Sequence, residues 1–94
     1  MIQVSDLFDK HNDEYLNFER VENKRSKRPD LHAMLLLDEI CPGPRDMVSA
    51  AEHDVIYLDV SPEALESATE EQIIELVRCG VHIDEETDSL AMFA

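Results

Sequence analysis

The chain has 94 residues, 44% of them hydrophobic, and 22 acidic residues against eight lysines and arginines, for a formal net charge of −14. That length provides for one domain with a modest core, and the apolar content is too high for a wholly disordered acidic chain. The charge disfavours phosphate backbones and membrane surfaces as partners and favours basic proteins.

The charge is also segregated. Residues 29–94 hold 16 acids and two bases, Arg45 and Arg78 (2 − 16 = −14), whereas residues 1–28 hold six of each. This contrast divides the chain into an N-terminal helix with a basic linker, residues 1–28, and an acidic α+β core, residues 29–94.

Ser5 can cap a helix whose first residue, Asp6, suits the positive end of the helix dipole. Leu7, His11, Tyr15, Phe18 and Val21 follow in steps of three and four and share one face, so the spacing predicts a helix over residues 6–22. Phe8 and Leu16 flank that face. The aromatic residues Phe8, Tyr15 and Phe18 either pack on the core or dock a second chain. Residues 23–28, NKRSKR, have no apolar member and read as a solvated basic linker that pairs with the chain's own acids or a neighbour's.

Asp30 is a candidate N-cap for a helix over residues 31–41. Its apolar residues lie on both sides, with Leu31, Met34 and Leu35 opposing Ala33, Leu36, Leu37 and Ile40, which predicts burial on most sides. Pro42, Gly43 and Pro44 end it. Residues 47–51 fit either a short strand or an irregular lead-in. Residues 55–60, VIYLDV, read as a central strand, with Ile56, Leu58 and Val60 facing one way and Val55, Tyr57 and Asp59 the other.

Ser61-Pro62-Glu63 opens a short helical turn through residue 67. Thr69 and Gln72 have the spacing of a capping box. The helix they open carries Ile73, Ile74, Leu76 and Val77 inward and ends at Gly80, the expected left-handed position. Residues 81–83 and 90–93 then form a β-hairpin across the polar turn 84–89. The order is ααβααββ, an α+β fold with a small three-stranded antiparallel sheet packed on helices.

Little in the chain carries chemistry. Glu52-His53-Asp54 is the most reactive-looking group, and His82 and Asp84 could join it from the hairpin. Adjacent side chains on an extended segment point apart, however, and no spacing matches a metal or catalytic motif. No catalytic residue, metal or cofactor is expected. Cys41 and Cys79 follow apolar runs and read as small buried hydrophobes. The first ten residues lack the basic and apolar regions of a signal peptide, and the longest apolar run, residues 33–37, is too short to span a bilayer. A cytosolic protein is expected.

The acids fall in two clusters. Glu63, Glu66, Glu70, Glu71 and Glu75 lie on the helical segment, with side chains expected to face water. Asp84, Glu85, Glu86 and Asp88 lie in the hairpin turn. They either solvate the surface or meet a basic partner, where carboxylates at phosphate-like spacing would imitate a nucleic-acid backbone.

Residues 51–54 (AEHD), 76–80 (LVRCG) and 88–93 (DSLAMF) resemble, in their overall wording, small acidic proteins of unknown function encoded by tailed bacteriophages and prophages. The resemblance covers roughly half the chain, carries no site residues, and implies an accessory protein in the cytoplasm of a bacterial host. Many such proteins bind and block a host protein.

The leading expectation is therefore a non-enzymatic phage accessory protein. It binds a basic surface of a host protein, such as a nucleic-acid-handling or defence protein, through its acidic face, and contacts neither nucleic acid nor membrane directly. The alternative is a homo-oligomeric structural or regulatory protein with the aromatic N-terminal helix as its interface. A third reading is a metal-dependent enzyme centred on His53.

Overall fold

The computed structural model describes residues 3–93. Three α-helices, α1 (Val4–Lys10), α2 (Pro29–Ile40) and α3 (Glu70–Arg78), accompany four strands, β1 (Val48–Glu52), β2 (Val55–Leu58), β3 (Val81–Asp84) and β4 (Ser89–Phe93). The strands form one antiparallel sheet in the order β1-β2-β4-β3. The fold is α+β.

The sheet has four strands, not the three expected. The additional strand is β1, which falls in the ambiguous stretch. All five of its residues are exposed, so it lacks the apolar alternation that marks a strand in sequence. It is held by pairing with β2 across the two-residue turn His53-Asp54, with His53 at φ 55°.

The N-terminal helix is shorter than its apolar spacing predicts. α1 ends at Lys10, and 3₁₀ turns at Asn12–Glu14 and Phe18–Arg20 carry the chain onward. Leu16, at φ 65°, takes a left-handed conformation that no α-helix interior accommodates. Its N–H donates to the Val77 carbonyl, 3.2 Å away at the end of α3. The same three- and four-residue spacing thus serves a wrapping segment. Val4 and Phe8 join the core formed by Ala33, Leu36, Leu37, Leu58, Ile73, Leu76 and Leu90.

α2 begins with Pro29 at its first position, two residues earlier than expected, with Arg28 extended before it. Its burial is one-sided. Ala33, Leu36 and Leu37 are buried, whereas Leu31 and Leu35 are 44% and 41% exposed. α3 follows its sequence signals closely. The Thr69 hydroxyl accepts from the Gln72 N–H at 3.1 Å, and the Gln72 side chain accepts from the Thr69 N–H at 2.9 Å. Ile73, Leu76 and Val77 are buried.

Gly80 ends α3 at φ 94°, and a Cβ there would lie 2.7 Å from the Leu16 Cδ2. Leu16 is an exposed, flexible side chain and can swing aside, so the backbone conformation sets the penalty. Gly80→Ala is expected to lower stability by about 1–2 kcal/mol in chemical denaturation. Gly43→Ala, where nothing lies within 4 Å of the added carbon, is the matched control. Equal stability of the two variants would refute this account.

Candidate functional site

The sheet packs its helices on the face carrying Leu58, Val60, Val81, Leu90 and Met92. At the β3 end of that layer, α1, the 3₁₀ turn Pro62–Leu65 and the β3–β4 turn surround a groove of about 1290 Å³. Its floor is apolar, with Leu7, Phe8, Leu65, Val77, Val81 and Ile83. Its polar lining includes five carboxylates, Asp9, Glu63, Glu66, Glu85 and Asp88, and no lysine or arginine. These five carboxylates form no ion pair among the described residues, and beside apolar walls they focus a negative field in the opening.

The nine acids singled out in the sequence separate into distinct environments. Glu63, Glu66, Glu85 and Asp88 line the groove. Glu71 and Glu86 are exposed, with no ion pair among the described residues; Glu86, together with Asp88, also lines a second groove of about 940 Å³ on the other side of the β3–β4 turn. Asp84 is tied into its own turn, accepting from the Thr87 hydroxyl at 2.9 Å. Glu70 is exposed, as expected, but also binds Lys10 and His11, whereas Glu75, expected to face water, is half-buried. Glu70 contacts His11 Nε2 at 2.6 Å and accepts from Lys10 at 3.2 Å, and these bonds, the first above all, hold its carboxyl below the ordinary range. Glu75 meets the buried His32.

His32 is fully buried and uses both ring nitrogens. Its Nδ1 accepts from the Arg25 N–H at 3.1 Å, which puts the ring proton on Nε2, 3.3 Å from Glu75 Oε2. Phe18 packs edge-on against this ring with 5.8 Å between centroids, and Lys24 Nζ lies 5.1 Å from the Phe18 centroid. The basic linker is therefore tied down at Arg25, which also pairs with Glu39. Further back, Glu14 bridges Arg78 at 3.0 Å and Arg20 at 2.8 Å. The Arg78 bond chiefly holds its carboxyl below the ordinary range.

The three aromatic residues proposed as an interface also differ. Phe8 is buried in the core, 7% exposed, while Tyr15 and Phe18 are half-buried. Tyr15 sets its edge against His82, 6.5 Å between centroids. Asp9, part of the groove, gives no signal in sequence because it lies in residues 1–28, whose charges balance. His53 is exposed in the β1–β2 turn, and among the described residues no three His, Cys, Asp or Glu side chains are grouped to hold a metal. Cys41 and Cys79 are free thiols, the second buried, with its pKa pushed up to about 12 by burial and then by Glu75. No described helix is long and apolar enough to cross a membrane. Comparisons with protein-family models, curated proteins and solved structures find no significant match to this chain.

Proposed function

We propose that this chain is a non-enzymatic binding protein that receives a basic segment of a partner protein in the groove beside α1. The observation that carries this reading is the groove's composition: an apolar floor, five carboxylates, and no lysine or arginine among its lining residues. An amphipathic segment would bury its apolar side chains on the floor while its lysines and arginines meet the rim. The same charge opposes direct nucleic-acid binding. The resemblance of residues 51–93 to small phage proteins points to a bacterial host protein as the partner, with nucleic-acid-handling and defence proteins, which carry basic surfaces, as candidates.

The test uses a partner captured from bacterial lysate. The triple variant Glu63→Lys, Glu66→Lys, Glu85→Lys alters exposed side chains and is expected to slow association about tenfold or more and to flatten its salt dependence. Glu71→Lys is the control of the same chemistry outside the groove. Unchanged association and salt dependence in the folded triple variant would refute the reading. Concentration-dependent sedimentation of the chain alone, abolished by the triple variant, would assign the groove to self-association.

A further inference from the structure

The face of the sheet turned away from the helices carries a second surface, which shares His82 with the groove beside α1 and is otherwise built from different residues. Directly paired residues of antiparallel strands share a face. Glu52, Val55 and Phe93 therefore form one row across β1, β2 and β4, and Ala50, Tyr57, Ala91 and His82 form the next. Asp84 and Ser89 follow on β3 and β4. Phe93 is 61% exposed. Its ring stacks on His82 with 4.7 Å between centroids and 22° between planes. Ala91, between Tyr57 and His82 in its row, is fully buried beneath the larger side chains around it. The result is an open aromatic shelf on a sheet whose opposite face is fully used.

Carboxylates border the shelf. Glu52 heads the Phe93 row and Asp84 flanks the Tyr57 row. Glu52, Tyr57 and Glu86 all line the groove of about 940 Å³ that leads from the shelf toward α2. The single arginine in that lining, Arg45, is paired with Asp59 at 2.9 Å. Desolvation, and then the negative charge of Asp84, Glu52 and Glu86, raises the Tyr57 phenol above its ordinary range, so these acids act on the aromatic surface itself.

We infer that this shelf is a docking surface for arginine side chains of a partner protein, separate from the groove beside α1. A guanidinium can lie flat on Phe93 or Tyr57 while its N–H groups reach Glu52, Asp84 or Glu86. Lysine offers charge but no plane to stack. A second copy of this chain would bring acids against acids around two aromatic centres, which disfavours it as the occupant. The residues that would touch the guanidinium, Phe93, Tyr57, Glu52, Asp84 and Glu86, all lie outside the groove beside α1.

The experiment is a nitrogen-edited NMR titration of the full chain with a peptide of alternating arginine and glycine, and with its lysine counterpart. The arginine peptide is expected to shift the amides of Val55, Tyr57, Ala91 and Phe93 and to bind several-fold more tightly than the lysine peptide. Phe93→Ala should weaken it about fivefold, and so should Glu52→Gln, an exposed position where the fold is not at stake. The groove triple variant should retain the shelf shifts. Equal binding of the two peptides, shifts confined to groove residues, or indifference to both shelf variants would overturn the inference. Shifts of the shelf amides on diluting the protein alone would overturn it too, by making the occupant a second copy.

Discussion

Truncating Phe8 to alanine is expected to cost about 3–5 kcal/mol of folding stability. The ring is 7% exposed and belongs to the same cluster as Leu37, Leu76 and Leu90, although its helix lies in the charge-balanced segment of residues 1–28. A chain of this size is stable by only about 5–15 kcal/mol, so the variant should lose a large share of its stability. Tyr15→Ala, at a half-buried ring touching His82 by its edge, should cost about 1–2 kcal/mol. Urea denaturation followed by circular dichroism reads both. A Phe8 variant within about 0.5 kcal/mol of the parent would show that residues 3–28 dock without sharing the core, and deletion of residues 1–22 would then leave the rest intact.

The second large effect separates two glutamates on one helix. Glu75→Lys is expected to destabilise by about 2–3 kcal/mol, and Glu71→Lys by less than about 0.5 kcal/mol. Glu75 accepts from His32, a ring with no exposure to water and no spare acceptor to replace it. Lysine at that position puts an ammonium beside the imidazole N–H and leaves a buried donor unpaired. Glu71 is exposed and bonded to nothing among the described residues. Glu75→Gln keeps an accepting oxygen and should fall between them. Equal midpoints for the two lysine variants would refute the assignment of Glu75 to the interior network.

These two residues show what can be read from the sequence and what cannot. Glu71 and Glu75 are chemically identical there and lie on one helix; the buried imidazole that distinguishes them arrives from 43 residues away. Features that depend on near neighbours were legible. The Thr69–Gln72 capping box, the left-handed Gly80 and the inward Leu58 and Val60 all appear where local spacing puts them. Features set by distant partners were not. β1 is a strand because β2 pairs with it, and Leu16 breaks the N-terminal helix while its N–H bonds to the end of α3. The groove was only half legible. Four of its acids stood out by density, but Asp9 joins them only through the packing of α1.

The strand order also governs how the sheet can assemble. β1 with β2, and β3 with β4, are hairpins closed by short turns, whereas the seam between β2 and β4 pairs Val55 with Phe93 and encloses α3 and most of the C-terminal half. Closing that long loop costs more chain entropy than closing either turn. The two hairpins are the quick, local units, and the seam that joins them is the slow, non-local contact. It lies in the middle of the sheet, so the chain's kinetic bottleneck and its best-shielded backbone hydrogen bonds fall in the same place.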